Sequence, residues 1–223
     1  MLLAASYSTF LSKLSGQSEV IFGSPAAGRP HADLSRIIGM FVNTLAIRTR
    51  PEGDKPFSAF LEEVKETTLG AFEHQDYPFE ELIEKLNIQR DMSRNPLFDA
   101  VFSMQNADLK DLSMEGVTLK PYDFAHQTAK FDLTLTAAEE DGLLVFEMEY
   151  NTALFKRESI KRWSGYWVNL LEAIAENPDA SLSDLSLLDE ADKRRILYEW
   201  NETVLDVPQN KTVHELFEAQ VLR

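Results

Sequence analysis

Apolar residues recur at helical spacing over long stretches of the chain, and these stretches predict its main helices. The first helix is expected from Leu2 to Leu14, because Ser15-Gly16 supplies a stop. Two more are expected from Pro56 to about His74 and from Pro78 to about Leu86, since proline fits the first turn of a helix. The longest helix is predicted from Arg157 to Asn177 and should pack across a sheet. Its apolar stripe consists of Ile160, Trp163, Trp167, Leu170, Leu171 and Ile174.

Runs of β-branched and aromatic residues between these helices predict a sheet. Strands are expected at Glu19–Gly23, at Met40–Arg50 and at Leu97–Met104. Two further strands, Lys130–Ala137 and Gly142–Tyr150, should pair as an antiparallel hairpin across an acidic turn. The pattern therefore predicts an α/β fold, in which a mixed sheet carries helices packed on one face.

The chain changes character beyond Pro178, where the predicted elements become short. They are Leu182–Leu188, a charged helix near Asp189 to Trp200, and a connector from Val204 to Asn210. The sequence Thr212-Val213-His214-Glu215 then has the form of a capping box, so a new helix should begin there.

Composition narrows the classes of function. With 44% hydrophobic and 26% charged residues, the 223-residue chain can bury a substantial core. Its 37 acidic and 22 basic residues leave a net charge of -15, which repels phosphates, so neither nucleic acid nor a membrane is an expected partner. The absence of cysteine excludes disulfides and thiolate metal sites and fits a cytoplasmic location. The apolar start lacks a basic n-region, so no signal peptide is expected.

Three segments carry the most specific signal. They are IGMFVNTLAIR at 38–48, HQDYPFE at 74–80 and RDMSRNPL at 90–97. Each alone is common, but in this order and at these separations they resemble the last three core motifs of the condensation domain of nonribosomal peptide synthetases. The resemblance implies one lobe of the chloramphenicol-acetyltransferase-like fold.

The resemblance also implies a reaction and partners. In this family, the amine of an aminoacyl group on one carrier attacks the acyl thioester on an upstream carrier, which forms an amide. Both substrates ride on phosphopantetheine arms, and no tightly bound cofactor is expected. The implied partners are the upstream and downstream peptidyl carrier domains, the N-terminal condensation lobe and an adenylation domain.

The family signature His-His-x-x-x-Asp-Gly is absent from this chain, whose histidines are His31, His74, His126 and His214. The chain thus resembles the C-terminal half of the domain, contains no predicted catalytic residue, and is expected to be inactive alone. The implied division is a C-terminal lobe at 1–178, a linker at 179–211 and the start of an adenylation domain at 212–223.

The first motif supplies the candidate substrate contacts. In the family that the chain resembles, a substrate tunnel lies between two related lobes. Asn43, with Gly39 and Phe41, is predicted to face that tunnel, where a carboxamide can both donate and accept hydrogen bonds. The alternative is that Asn43 satisfies a neighbouring strand end. The segment from Ser24 to Arg29 resembles the stretch that forms the tunnel floor, and Arg29 is expected to pair with a carboxylate of the other lobe.

The remaining motif residues are predicted to be structural. His74 has no nucleophile nearby in sequence, and Arg94 suits a salt-bridged turn better than a phosphate site. No metal site is expected. The residues assigned to this structural group are His74, Asp76, Pro78, Glu80, Arg90, Asp91, Arg94 and Asn95.

Three alternatives stay open at this point. The chain could be a non-catalytic module that docks carriers or neighbouring domains. It could also belong to an epimerising or cyclising relative on the same fold. Finally, an exposed lobe face could recruit a second copy and give a homodimer.

Overall fold

A computed structural model of the protein describes residues 1–29, 31–89, 91, 94–105, 128–140, 142–204 and 211–222. The chain forms two compact units, Met1–Leu187 and Leu188–Arg223.

Four helices of the first unit confirm the predicted ones. They are α1 (Leu2–Ser15), α2 (Phe57–Glu73), α3 (Phe79–Lys85) and α4 (Arg157–Glu176). Helix α1 ends because Gly16 adopts a left-handed conformation with φ 71°, and its N–H bonds to the carbonyl of Ser12. Pro56 and Pro78 precede α2 and α3 as their N-cap residues.

The five strands form one mixed sheet, as the sequence predicts. They are β1 (Val20–Ala26), β2 (Asn43–Thr49), β3 (Ala100–Gln105), β4 (Leu133–Glu140) and β5 (Leu143–Tyr150), in the order β2-β1-β3-β4-β5. The β1–β2 and β4–β5 pairs are antiparallel, whereas β1–β3 and β3–β4 are parallel. The β4–β5 pairing confirms the predicted hairpin, of which Asp141 lies outside the described residues.

The structure corrects several predicted strand boundaries. β1 continues to Ala26 rather than ending at Gly23, and β4 runs from Leu133 to Glu140 rather than from Lys130 to Ala137. Met40–Val42 lie outside the sheet, because β1 ends at Ala26, whose partner Asn43 is the first residue of β2. The strand predicted from Leu97 begins at Ala100 instead, where pairing with Leu133 of β4 starts. Residues 40–42 are apolar, but no residue of β1 lies opposite them. Residues 97–99 lead into β3, and the carbonyl of Asp99 already accepts the N–H groups of Asp132 and Leu133.

The core lies between one face of the sheet and helices α1, α2 and α4. Alternate strand residues point to this face, and aromatic rings join the layers. Tyr7 of α1 lies 5.7 Å, between ring centroids, from both Phe22 and Phe102, and 6.3 Å from Trp167 of α4. Trp167 also meets Phe146 of β5 at 5.6 Å. The predicted core stripe of the longest helix therefore packs across the sheet.

The first unit continues beyond Pro178. Leu182 and Leu185 are buried in its core, and the N–H of Leu182 donates to the carbonyl of Lys55 at 2.8 Å. The segment after the longest helix is thus pinned to the start of α2.

The second unit contains helices α5 (Glu190–Leu197) and α6 (Val213–Val221), with a 3₁₀ turn at Glu199–Asn201. The helix predicted to reach Trp200 ends earlier, because the amide of Asn201 donates to the carbonyls of Ile196 and Leu197 at 2.8 and 3.0 Å. The capping box is confirmed by the bond from the Thr212 N–H to Glu215 Oε2 at 2.8 Å.

Candidate functional site

The side chain of Asn43 joins the first two motifs. Its Nδ2 donates to the backbone oxygens of Gln75, at 2.6 Å, and Tyr77, at 3.0 Å. Its Oδ1 accepts the N–H of Thr44 at 2.9 Å. Each hydrogen bond of this kind contributes about 0.5–1.5 kcal/mol. The carboxamide thus fastens the loop between α2 and α3 to the first residue of β2.

These contacts bear on the predicted role of Asn43 in the tunnel. A carboxamide has two protons to donate, and Asn43 has a backbone acceptor for each. The arrangement fits the alternative in which Asn43 satisfies neighbouring chain. A direct contact between Asn43 and substrate stays a prediction.

The predicted floor segment is divided between a strand and a loop. Ser24 pairs with Leu45 within β1, so it lies in the sheet rather than in a turn. Pro25 is tolerated here because the pairing of β1 with β3 is limited to Gly23 and Val101, so no further ladder donor is needed on that side. The loop begins after Ala26.

Arg29 lies inside this loop rather than projecting from it. Its Nη1 donates to the carbonyls of Leu34 and Ile37, the latter at 2.9 Å, and its Nη2 reaches the carbonyl of Gly39 at 3.4 Å. The guanidinium carbon lies 4.2 Å from the centroid of the Phe41 ring. The guanidinium of Arg29 is therefore bonded within its own chain. Its expected ion pair with a carboxylate of the other lobe stays a prediction.

Gly28 closes the loop, and its partner could not be read from the sequence. It has φ +62°, and a Cβ placed there would lie 1.7 Å from the carbonyl oxygen of Phe41. Only glycine permits both this backbone conformation and this close approach. The glycine and proline content of the segment predicted a turn, but not the residue it folds against.

An apolar row on the same segment faces outward. Ile38 is fully exposed, Met40 is 88% exposed, and Ile37 and Val42 are about half exposed. Gly39 is exposed between them, and Phe41 is half-buried. Burying such side chains against a partner surface lowers the free energy, so this row of exposed apolar residues has the character of an interface.

The second motif forms the junction of α2 and α3. The His74 carbonyl accepts the N–H of Tyr77 at 3.0 Å, which closes a turn. Pro78 is the N-cap of α3 and Glu80 lies in its first turn, where negative charge is favourable. The side chains of His74 and Asp76 are exposed. These positions suit a structural role and show no buried acid–base pair.

The third motif fixes the turn before β3. Arg94 donates through Nη2 and Nε to the carboxylate of Asp99. The carbonyl of Asp99 in turn accepts the N–H groups of Asp132, at 3.0 Å, and Leu133, at 3.3 Å. The ion pair therefore supports the entry into both β3 and β4.

Two other members of that group lie next to Arg94 in the described structure. Asn95 is half-buried, and the carbonyl of Asp91 accepts the N–H of Arg94 at 3.4 Å. Arg90 lies outside the described residues.

Phe98 connects the second and third motifs, and sequence reasoning missed it. Its ring lies 5.5 Å from Phe79 and 5.9 Å from Phe131, measured between centroids. A Cβ on Gly23 would lie 2.3 Å from Phe98 Cε2, so the ring rests directly on the backbone of β1. The signal was hidden because Phe98 was assigned to a strand, whereas it precedes β3.

A groove of about 300 Å³ lies between the edge strand β2 and helix α2. Two arginines at its rim, Arg48 and Arg50, donate to Glu19 Oε1 at 2.5 and 3.2 Å. The hydrogen bond from Arg48, followed by that from Arg50, lowers the pKa of Glu19. Charged residues on an edge strand oppose pairing with another strand. Arg48 and Arg50 therefore protect the β2 edge of the sheet.

The described part of the chain shows neither a metal-binding cluster nor a membrane-spanning helix. It contains no cluster of three or more histidine, aspartate or glutamate side chains that could hold a metal ion. None of its helices is both long and apolar enough to cross a membrane.

Comparison with known proteins identifies the family. The Condensation domain family matches residues 1–197. Surfactin synthase subunit 1 of Bacillus subtilis (strain 168) is 60% identical over 223 residues, which are 100% of this chain and 6% of that protein. The chain therefore spans only a small part of this relative.

Solved structures agree. A holo four-domain nonribosomal peptide synthetase bound to AMP and glycine superposes with a TM-score of 0.79 and 25% identity, covering 86% of this chain and 16% of that one. A variant of the starter condensation domain of the rhizomide synthetase gives a TM-score of 0.71 and 25% identity, covering 84% of this chain and 44% of that one. The predicted fold class, one lobe of the chloramphenicol-acetyltransferase-like fold, is confirmed. The chain belongs to the condensation domain family of nonribosomal peptide synthetases.

Proposed function

We propose that this chain is the C-terminal lobe of a condensation domain and supplies one wall of the tunnel in which an amide bond is formed. The family match over residues 1–197 carries the proposal. The coverage supports it, since the structural match covers 84% of this chain but 44% of the condensation domain structure. A comparable length of polypeptide forms the rest of that structure.

The proposed reaction joins two carrier-bound substrates. The amine nitrogen of the downstream aminoacyl group attacks the carbonyl carbon of the upstream thioester. The new C–N bond forms, the C–S bond breaks, and the sulfur leaves as a thiolate that takes up the proton lost by the amine. Both acyl groups are carried as substrates on phosphopantetheine arms, so the upstream and downstream peptidyl carrier domains are the proposed partners.

The outward apolar row at residues 37–42 is the proposed contact with the N-terminal lobe. Ile38, Met40 and Val42 expose large apolar side chains on a segment that includes the predicted tunnel residues Gly39 and Phe41. Burying a fully exposed side chain of this size contributes roughly 1.5–3 kcal/mol. The row therefore offers a favourable place for the first lobe to dock and close the tunnel.

We also propose that residues 1–178 form the lobe, that 179–211 connect it to an adenylation domain, and that this domain begins at 212–223. The first part of the connection is packed on the lobe, because Leu182 and Leu185 are buried in its core. The capping box at Thr212 marks a fresh helix start, which suits the beginning of another domain.

The proton-handling group is proposed to come from the N-terminal lobe. The 223 residues contain no His-His pair, and the exposed His74 lies at a helix junction. The chain alone is therefore expected to give no condensation.

The test uses this chain, its N-terminal lobe supplied in trans, and two loaded carrier proteins, with dipeptide measured by mass spectrometry. The proposal expects product only when both lobes are present, and none when the second His of the added lobe's signature is replaced by alanine. Dipeptide formed by this chain alone would overturn it. Carrier binding without turnover by the two lobes together would identify a docking module instead.

A further inference from the structure

Residues 31–42 form the longer part of the loop that begins after Ala26, and the core gives them little support. Among residues 31–34 and 36–42, only Leu34 and Phe41 are half-buried and the others are exposed, so apolar burial gives this stretch little support. The backbone contains one short 3₁₀ turn, Ala32–Arg36. The conformation of residues 37–42 must therefore be fixed by contacts other than regular secondary structure or apolar burial.

The guanidinium of Arg29 supplies these contacts. It donates to the carbonyls of Leu34, Ile37 and Gly39, which lie on three successive parts of the loop. The ring of Phe41 covers the guanidinium, with 4.2 Å between Cζ and the ring centroid. A planar group with five donors can bond several carbonyls and stack on an aromatic face at once, whereas a lysine ammonium cannot.

The residue before Arg29 also restricts the loop. Gly28, next to Arg29, has its Cα pressed against the carbonyl of Phe41, so the chain before and after the loop meets at this point. The loop is thus closed by Gly28 and filled by Arg29. Its outward side carries Ile38 and Met40.

We propose that Arg29 is a positioning residue, which holds residues 31–42 in the shape that presents the outward apolar row. That this row then receives the N-terminal lobe rests on the function proposed above. Arg29 would act on the association of the two lobes through the loop it organises. The rival role is a direct ion pair between Arg29 and a carboxylate of the other lobe.

Arg29→Lys separates these two roles. Lysine keeps the positive charge that an ion pair needs, but loses the planar fork that reaches three carbonyls. Arg29→Met removes both. Arg36→Met is the matched control, because Arg36 is an exposed arginine of the same loop.

Hydrogen exchange of the chain alone measures the loop directly. The amides of Leu34 and Ile37 report on it, because they donate to the carbonyls of His31, at 3.0 Å, and Leu34, at 3.2 Å. Both Arg29 variants are expected to exchange about tenfold faster at these amides, with β1, β2 and the Tm unchanged. Arg36→Met should match the wild type.

Three results would overturn the proposal. The first is wild-type exchange in both Arg29 variants. The second is wild-type exchange in Arg29→Lys with a change only in Arg29→Met, since charge would then suffice. The third is faster exchange throughout β1 and β2 with a lower Tm, which would assign Arg29 to the stability of the whole unit.

A second measurement tests the consequence for lobe association. Titration of the N-terminal lobe into this chain should show about tenfold weaker binding for both Arg29→Lys and Arg29→Met, with Arg36→Met unchanged. Full binding by Arg29→Lys would support the ion pair and overturn the positioning role. If the wild-type chain does not bind the lobe at all, the proposed function fails, whereas the exchange result still decides the role of Arg29.

Discussion

Replacing Tyr7 by phenylalanine should stabilise the first compact unit. The Tyr7 ring is fully buried, and its hydroxyl has no hydrogen-bond partner among the described residues. Burying a hydroxyl without a partner costs roughly 1–3 kcal/mol in proteins. Phenylalanine removes that cost and keeps the ring contacts with Phe22, Phe102 and Trp167.

The expected gain is about 1–2 kcal/mol, which for a chain of this size corresponds to a Tm higher by about 2–8 °C. Urea unfolding followed by tryptophan fluorescence measures it, because Trp167 lies beside Tyr7 in the core. Tyr198→Phe is the control, since Tyr198 is 68% exposed and its loss should change the free energy of unfolding by less than about 0.5 kcal/mol.

The advantage of Tyr7→Phe should grow at high pH. Burial raises the pKa of Tyr7 above its ordinary value, so the folded protein keeps this proton when the unfolded chain has lost it. The wild type therefore loses stability as the pH rises above about 10, by up to about 1.4 kcal/mol per pH unit, and Tyr7→Phe does not lose this contribution. A destabilised Tyr7→Phe variant, or a constant gap between pH 8 and 11, would refute the reasoning.

Three further substitutions test the contacts between the motifs, each by urea unfolding. Gly23→Ala should lower the free energy of unfolding by about 1–3 kcal/mol, because its Cβ would lie 2.3 Å from Phe98 Cε2. In a Phe98→Leu background the smaller leucine side chain should leave room for the Cβ and reduce that loss. Equal losses in both backgrounds would contradict the contact. Asn43→Asp removes two donors to backbone carbonyls and should cost about 1–3 kcal/mol; an unchanged midpoint would show that the bonds are not formed. Arg94→Ala removes an exposed ion pair with Asp99 and should lower the Tm by only about 2 °C; loss of soluble folding would show that the turn depends on it far more strongly.

The helices and the hairpin could be predicted because their signals are local. Gly16 and the prolines at 56 and 78 mark helix ends, and the apolar stripe of α4 has a period that only a helix satisfies. The pairing of β4 with β5 follows from their proximity along the chain. Each of these features requires only a few neighbouring residues to be read correctly.

The errors occurred where structure depends on distant partners. Met40–Val42 continue the apolar pattern of β2, but β1 ends before it can pair with them. The ring of Phe98 fills a space that exists only because Gly23 lacks a side chain. The three carbonyl contacts of Arg29 depend on a loop conformation that no periodicity encodes. The motifs therefore indicated candidate positions, but the contacts of those residues could not be derived from the motifs.

The contacts of the motifs indicate what kind of effect their mutation should have. Both amide protons of Asn43 are donated to backbone carbonyls. The guanidinium of Arg94 is bonded to Asp99, and that of Arg29 is bonded to backbone carbonyls of its own loop. A carboxamide and a guanidinium do not titrate near neutral pH, so these groups hold neighbouring parts of the chain in place and do not transfer protons. Substitutions here should therefore change loop order, stability or lobe association first, and any loss of peptide formation should follow those changes in proportion. A variant that loses peptide formation while its stability, hydrogen exchange and lobe binding remain those of the wild type would place a reacting group on this chain.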